Sequence, residues 1–289
     1  MTTATNTIAT IDTLDALTPR YDAVLCDVWG VVHNGVRVFS EATAALRRAR
    51  ESGLPVVLIT NAPRPHADVE RQLETLGTPA DCFDAVVTSG DVTRALISEG
   101  TRRVFHLGPE RDYPIFEGLD VELVEEFEAS SVVCTGLFDD DTETPEDYAG
   151  MLARMRARDL PFICANPDIV VERGDRLVWC AGALARDYGQ LGGRTIIAGK
   201  PHRPIYEASI AAAEQLLDRP LARERVLAIG DGIMTDVKGA SVFGLDVLYV
   251  TGGIHAREYA GPKGADPQRL ADFLERHGYH PVAAIEKLR

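Results

Sequence analysis

Short uninterrupted apolar runs recur along this chain of 289 residues, and they constrain its fold more than any other feature. A strand covered on both faces reads as a continuous apolar run, whereas a half-exposed strand alternates apolar and polar residues. Helical patterns lie between the runs, so we predict an α/β fold with a doubly wound parallel sheet. The six runs that we assign to this sheet are residues 23–26, 56–59, 85–87, 195–198, 226–229 and 247–250.

A segment in the middle of the chain has strand candidates of its own, at residues 103–107, 131–134 and 161–164. A helix is predicted to start within it at Thr144-Pro145-Glu146-Asp147, which combines a capping residue, a proline and an acidic first turn. Asp139-Asp140-Asp141 precedes that start. These acids lack the spacing and the glycine of an EF-hand loop, so we interpret them as solvated charge rather than a Ca²⁺ site.

Because the apolar runs fall into a flanking set and a middle set, we predict two domains. We expect a core formed by residues 1–100 and 193–289, and an inserted α/β domain formed by residues 101–192. Gly100 and the Gly192-Gly193 pair stand at the two chain crossings. We expect hinges there, because closure of an inserted domain excludes water from a site beneath it.

Composition excludes several classes of protein. The net charge of −14, from 30 basic and 44 acidic side chains, argues against nucleic-acid binding. The chain has no apolar run long enough to span a membrane, and Met1 to Asn6 do not begin a signal peptide, so we predict a cytoplasmic protein with no membrane partner. The five cysteines form no CxxC pair, which favours buried reduced thiols over a zinc site.

Polar residues follow four of the predicted core strands. These residues are Asp27, then Thr60-Asn61, then Gly199-Lys200, and finally Asp231 with Asp236 shortly after it. Ligands of open parallel sheets bind outside the carboxyl ends of the strands, so we expect these side chains to converge on one crevice.

That set of side chains has a chemical logic. Asp27 and Asp231 offer the hard oxygen ligands that Mg²⁺ prefers. Lys200 is a point cation for a phosphate, and Thr60 with the backbone N–H groups near Asn61 can bind phosphate oxygens. A carboxylate can also act as a nucleophile and form an aspartyl-phosphate, with a metal ion shielding its charge.

Four motifs resemble those of the haloacid dehalogenase (HAD) superfamily. Residues 27–31 are similar to its first motif, residues 59–61 to the second, residues 199–201 to the third, and residues 230–240 to the fourth. The long insert, with Asn-Pro-Asp at 166–168, resembles the class IIA branch, which includes 4-nitrophenylphosphatases, pyridoxal phosphatases and ribonucleotide monophosphatases. The resemblance implies a Rossmann-like core, an inserted α/β cap, and a small phosphorylated substrate. It also makes a homodimer formed through the cap an expectation.

The resemblance implies a role for each motif residue. Asp27 would be the nucleophile and a Mg²⁺ ligand, and Lys200 would pair with Asp27 and with the phosphate that Thr60 and Asn61 bind. The metal would also be held by the backbone carbonyl of Trp29 and by Asp231, with Asp236 supporting it. Asn166 and Asp168 would lie at the cap entrance.

Trp29 departs from the pattern of these phosphatases, which normally carry an aspartate there as general acid and base. An indole cannot transfer that proton, and such transfer contributes about 10²- to 10⁴-fold in rate. Three interpretations remain open. In the first, the protein is a phosphatase that acts on esters with good leaving groups, or that uses His33 or His202 as a substitute acid. In the second, Asp27 attacks carbon, as in dehalogenases. In the third, the fold serves binding or regulation without turnover. For the rings of Trp29 and Trp179 we favour packing over ligand stacking.

Overall fold

The computed structural model describes residues 8–173, 176–262 and 264–289, so the interpretation of Met1 to Asn6 lies outside the described residues. The strands are β1 Ala23–Asp27, β2 Val56–Thr60, β3 Ala85–Thr88, β4 Arg103–Leu107, β5 Glu122–Leu123, β6 Ser131–Cys134, β7 Phe162–Cys164, β8 Val170–Arg173, β9 Arg176–Trp179, β10 Thr195–Ile197, β11 Val226–Gly230, β12 Asp246–Val250, β13 Ala260–Gly261, β14 Gly264–Ala265 and β15 Ala283–Ile285. The α-helices are α1 Ser40–Glu51, α2 His66–Thr75, α3 Ser89–Ser98, α4 Ala149–Ala157, α5 Ala181–Gln190, α6 Arg203–Leu217, α7 Lys238–Phe243 and α8 Pro267–His277.

A six-stranded sheet has the order β15-β12-β11-β1-β2-β3. Strand β1 pairs in parallel with β11 on one side and with β2 on the other, and Asp27 stands opposite Ile59 in β2. Each of the strands β1, β2 and β11 has five residues, and all of them are buried, as the uninterrupted apolar runs predict. The predicted α/β class, with a parallel sheet and an additional cap domain, is confirmed.

A second, five-stranded sheet has the order β10-β7-β6-β4-β5, and its neighbouring strands are also parallel. Its core includes Leu107, Phe162 and Tyr188, and Trp179 packs against this cluster as we expected. The helix start at Thr144 is confirmed. Thr144 and Asp147 form a reciprocal capping box with Pro145 at the first helical position, leading through a 3₁₀ turn into α4.

One predicted core strand is wrong. Thr195–Ile197 is β10, which pairs with β7 at the edge of the five-stranded sheet and not with the six-stranded one. Gly192 has a φ of +80° and lies in the turn between α5 and β10, so the glycine pair leads into the edge strand of the five-stranded sheet. An apolar run predicts a buried strand, but it carries no information about which sheet the strand joins.

The described residues form two compact units. One comprises the residues up to Ile59 together with Leu73–Val86 and Tyr206–Arg289, and the other comprises Thr60–Gln72 and Val87–Ile205. These units are drawn differently from the domains that we predicted, and the domain limits stay a prediction. No helix in the described part of the chain is both long and apolar enough to cross a membrane.

The acidic stretch is only partly the solvated charge that we predicted: Asp139 and Asp141 are exposed, but Asp140 is half-buried. The Asp140 carboxylate forms ion pairs with Arg111 and Arg173, and Asp141 pairs with Arg176 at 2.7 Å. The arginines come from segments distant in sequence, which is why the local pattern did not reveal them.

Candidate active site

Three aspartates gather at the carboxyl edge of the six-stranded sheet. Asp27 ends β1, Asp231 follows β11 directly, and Asp236 lies in a π-helical turn over Ile233–Val237. One carboxylate oxygen from each lies within 4.8 Å of the others, and all three side chains are buried. All three belong to the first compact unit. The sheet therefore brings together the acids that we expected to converge.

Main-chain segments hold Asp231 closely. The backbone N–H of Ile254 donates to Asp231 Oδ2 at 2.9 Å. A Cβ at Gly30 would lie 2.2 Å from that oxygen, and one at Gly253 would lie 2.0 Å from it. Gly30 also has a φ of +80°, which side chains other than glycine rarely adopt. Glycine is needed at both positions because the backbone must approach the carboxylate.

Asp236 is oriented by its own turn. The backbone N–H of Gly232 donates to Asp236 Oδ2 at 3.0 Å. A Cβ at Gly230 would lie 2.2 Å from Asp236 Cγ, so the strand end also packs directly against this side chain. π-helical turns are rare and occur often at functional sites. Here the turn presents Asp236 toward the other two acids.

The donor set fits a divalent cation. Three carboxylates this close repel one another when ionised, and a doubly charged cation relieves that repulsion. The donors are hard oxygens, and no thiol or imidazole joins them among the described residues, which favours Mg²⁺ over zinc or copper.

The second compact unit holds the other predicted residues. Asn61 Oδ1 accepts a hydrogen bond from the backbone N–H of Lys200 at 2.7 Å, and Asn61 Nδ2 donates to the Lys200 carbonyl at 3.3 Å. The Asn61 amide also donates to Asp168 Oδ1 at 2.9 Å. The Asn61 side chain therefore binds the main chain of Lys200 through two hydrogen bonds, a contact that the sequence did not predict.

Thr60 and Lys200 are both buried, with exposed fractions of 1% and 2%. Thr60 Oγ1 accepts from the backbone N–H of Ala62 at 3.2 Å, which orients the hydroxyl within its turn. A buried lysine is rare unless it has a partner or a task. Lys200 is thus not an ordinary surface lysine.

Gly199 marks the point where three segments of the second unit meet. A Cβ there would lie 2.4 Å from Asn61 Oδ1, 2.8 Å from Ser89 Oγ and 2.9 Å from Pro167 Cδ. The sequence singled out Asn61 and the Asn-Pro-Asp segment separately. It missed the contact between Asn61 and Asp168 and the approach of both segments to Gly199, because nothing in the local pattern shows which loops meet.

The residues around Trp29 form a packed loop. The Trp29 indole is half-buried, with its ring centroid 5.0 Å from that of the buried His33. His33 Nδ1 accepts a hydrogen bond from the backbone N–H of Gly35 at 2.9 Å, so the neutral ring carries its proton on Nε2. His202, by contrast, is exposed at the start of α6. The proton-transfer role of either histidine stays a prediction.

Two family models match separate parts of the chain. One, described as "Haloacid dehalogenase-like hydrolase", matches residues 24–122, and the other, described as "HAD-hyrolase-like", matches residues 197–276. Together they cover the segments that carry the three aspartates, Asn61 and Lys200.

Known proteins resemble the chain over nearly its full length. The 5'-nucleotidase YutF of Bacillus subtilis is 27% identical over 88% of this chain and 96% of its own, and the ribonucleotide monophosphatase NagD of Escherichia coli K12 is 27% identical over 80% and 88%. A solved hydrolase of the haloacid dehalogenase-like family from Brucella suis 1330 is 59% identical, covers 96% of this chain and 100% of its own, and superimposes with a TM-score of 0.88. The chain therefore belongs to the haloacid dehalogenase-like family of hydrolases.

Proposed function

We propose that this protein is a Mg²⁺-dependent phosphatase that hydrolyses a small phosphorylated metabolite through an aspartyl-phosphate on Asp27. The observation that supports the proposal is the buried group of Asp27, Asp231 and Asp236, whose clustered carboxylates could hold a divalent cation and leave Asp27 as the nucleophile beside it. The names of YutF and NagD, a nucleotidase and a nucleotide monophosphatase, support a phosphorylated substrate and the class IIA branch.

In this proposal Asp27, Asp231 and Asp236 hold the metal, together with the backbone carbonyl of Trp29. A bound Mg²⁺ would neutralise phosphate charge and so let one anion approach another. Asp27 would attack the phosphorus atom and displace the ester oxygen, which forms an aspartyl-phosphate. Water would then attack that phosphorus atom, which releases inorganic phosphate and restores the Asp27 carboxylate.

Thr60 and Lys200 bind the transferring phosphoryl group in this proposal. Thr60 is the residue after Ile59, which pairs with Asp27 in the sheet. The ammonium group of Lys200 supplies positive charge, and Asn61 acts by fixing the main chain of Lys200 rather than through its own amide. Asn61 thus supports Lys200 with its side chain, and phosphate binding at Asn61 stays a prediction.

The leaving group receives no proton from position 29, because Trp29 has no transferable proton of suitable acidity. We therefore infer a preference for phosphate esters whose leaving groups are stable as anions. The second candidate is a binding or regulatory protein that retains the fold without turnover, and the indole at position 29 is the observation that favours it. Attack on carbon is less favoured, because three clustered acids suit a metal that such chemistry does not need.

The test is a screen of phosphorylated metabolites and p-nitrophenyl phosphate, with Mg²⁺ and with a chelator, on the native protein and on Asp27→Asn. We expect turnover that needs Mg²⁺ and is lost in the variant, because an amide is not a nucleophile here. Equal turnover by both proteins would refute the role of Asp27. Binding of phosphate without turnover of any ester would favour the second candidate. The cytoplasmic location, the homodimer through the cap, and the absence of nucleic-acid partners stay predictions.

A further inference from the structure

The hydrogen bond between Asn61 and Asp168 joins two segments 107 residues apart in sequence. The Asn61 amide uses its oxygen for one donor, the Lys200 N–H, and its nitrogen for two acceptors, the Lys200 carbonyl and Asp168 Oδ1. A flipped amide would face a donor with its nitrogen and two acceptors with its oxygen, so all three bonds would be lost together. The carboxylate of Asp168 therefore favours a single orientation of the amide.

Asp168 is itself held in place. Its backbone N–H donates to Asn166 Oδ1 at 3.1 Å, and its carbonyl accepts from the Gly182 N–H at 3.1 Å at the start of α5. A Cβ at Gly182 would lie 2.2 Å from the Pro167 carbonyl oxygen and 2.5 Å from that of Asp168. The segment 166–168 is thus packed on a helix and provides a fixed point for Asn61.

We propose that Asp168 is a positioning residue: through the Asn61 amide it fixes the main chain that carries Lys200. All three residues lie in the second compact unit, and the 2.9 Å contact links the Asn-Pro-Asp segment to the lysine by way of a single side chain. The catalytic meaning of this link rests on the proposed function of Lys200. The link itself does not.

Charge-assisted hydrogen bonds such as the one from Asn61 to the carboxylate are shorter and stronger than neutral ones. When that bond is lost, only the two bonds to the Lys200 backbone orient the amide, so the amide rotates more readily and holds that backbone less firmly. A lysine that stabilises a transferring phosphoryl group must be placed accurately, and a misplacement of 1 Å costs about 10²-fold in rate.

The kinetic test compares Asp168→Ala with Asp168→Asn on p-nitrophenyl phosphate. The asparagine keeps an oxygen that can accept from Asn61, so we expect kcat close to native, whereas the alanine should lower kcat by about 10- to 100-fold with little change in KM. Asp120→Ala is the matched control in the same unit. Asp120 is exposed and pairs only with the exposed Arg102 among the described residues, and its loss should leave kcat unchanged.

If Asp168→Ala does not fold, a reciprocal pair of substitutions at positions 61 and 168 tests the same proposal. Asn61→Asp retains the oxygen that accepts from Lys200 but sets two carboxylates against each other, so kcat should fall. Adding Asp168→Asn restores a donor opposite the new carboxylate and should recover part of the loss. A double variant no better than Asn61→Asp alone would overturn the proposal.

A readout that does not depend on turnover separates this proposal from the proposed function. Hydrogen exchange of the Asn61 side-chain amide, followed by NMR, should be slow in the native protein and fast in Asp168→Ala. If the native protein hydrolyses no ester, the proposed function fails, while the exchange rates still test the link. Equal protection of the amide in both proteins, or native kcat in Asp168→Ala, would refute the positioning role.

Discussion

The indole of Trp29 meets the imidazole of His33 edge to face, with an angle of 71° between the ring planes. Gly35 contacts both rings: its backbone N–H donates to His33 Nδ1, and its Cα lies against the six-membered ring of the indole. The loop that follows Asp27 is thus a packed structure built around an aromatic ring. Trp29 thus has an aromatic neighbour and a main-chain neighbour within its own loop.

Trp29→Asp tests the missing acid. In the native protein, rate should depend steeply on leaving-group acidity, because the departing oxygen keeps its developing charge. The aspartate should raise turnover of alkyl phosphates by about 10²-fold and flatten that dependence. The measurement is kcat/KM for a series of aryl and alkyl phosphates on both proteins. A shallow dependence in the native protein would mean that another acid acts, and His33→Ala would then be the variant to examine.

Gly35→Ala tests the packing of the indole. Gly35 has a φ of +82°, and a Cβ there would lie 2.6 Å from Trp29 Cη2. Gly77 has a φ of +84° with nothing within 4 Å of its Cβ position, so Gly77→Ala measures backbone strain alone, about 1–2 kcal/mol. We expect Gly35→Ala to cost about 1–3 kcal/mol more in the free energy of unfolding, measured by urea denaturation. Equal costs for the two variants would show that the indole moves aside freely.

Mg²⁺ should stabilise the folded protein through the aspartate cluster. At a concentration of about 100 times Kd, a ligand specific for the native state adds about 2.7 kcal/mol to the free energy of unfolding. Asp231→Asn should remove this effect, and without metal it should be no less stable than the native chain, because one of three repelling carboxylates is neutral. Thermal melts with Mg²⁺ and with chelator provide the measurement. Asp139→Asn, in the exposed acidic stretch, is the control and should respond to Mg²⁺ as the native protein does.

Burial of His106 predicts a loss of stability in mild acid. Desolvation lowers the pKa of this imidazole from 6.5 to about 4, and its Nε2 lies 2.9 Å from Thr135 Oγ1. Between these two values the unfolded chain binds a proton that the folded one does not, so stability falls as pH drops from 6.5 to 4, by at most about 3 kcal/mol. His106→Gln shares every other titrating group with the native chain. The difference between the two curves of unfolding free energy against pH therefore isolates this ring, and parallel curves would contradict the prediction.

The sequence predicted those parts of the fold that local chemistry determines. Buried strands such as β1 and β11 show their burial in every residue, and the capping box at Thr144 is complete within four residues. The apolar run at β10 shows what local sequence cannot predict. Its residues specify a strand, but the choice of β7 as its neighbour depends on packing that no window of sequence contains.

The same division holds for the candidate site. Acids that end or follow parallel strands lie at one edge of a sheet, so the sequence predicted the edge at which Asp27 and Asp231 meet. The pairing of β1 with β11, which brings them side by side, is seen only in the folded chain. The contacts of Asn61 with Asp168 and of Asp140 with Arg111 join distant loops, and their residue types are ordinary for turns and surfaces. Only the folded chain shows that these side chains have specific partners.

The buried thiols give each half of the molecule its own unfolding reporter. Cys26 and Cys82 lie in the first compact unit, and Cys134, Cys164 and Cys180 lie in the second. Burial raises the pKa of Cys82 to about 11 and that of Cys164 to about 12, so neither reacts readily while its surroundings stay closed. Alkylation followed by peptide mass spectrometry would then time the opening of the two units separately, in the native chain and without any introduced label.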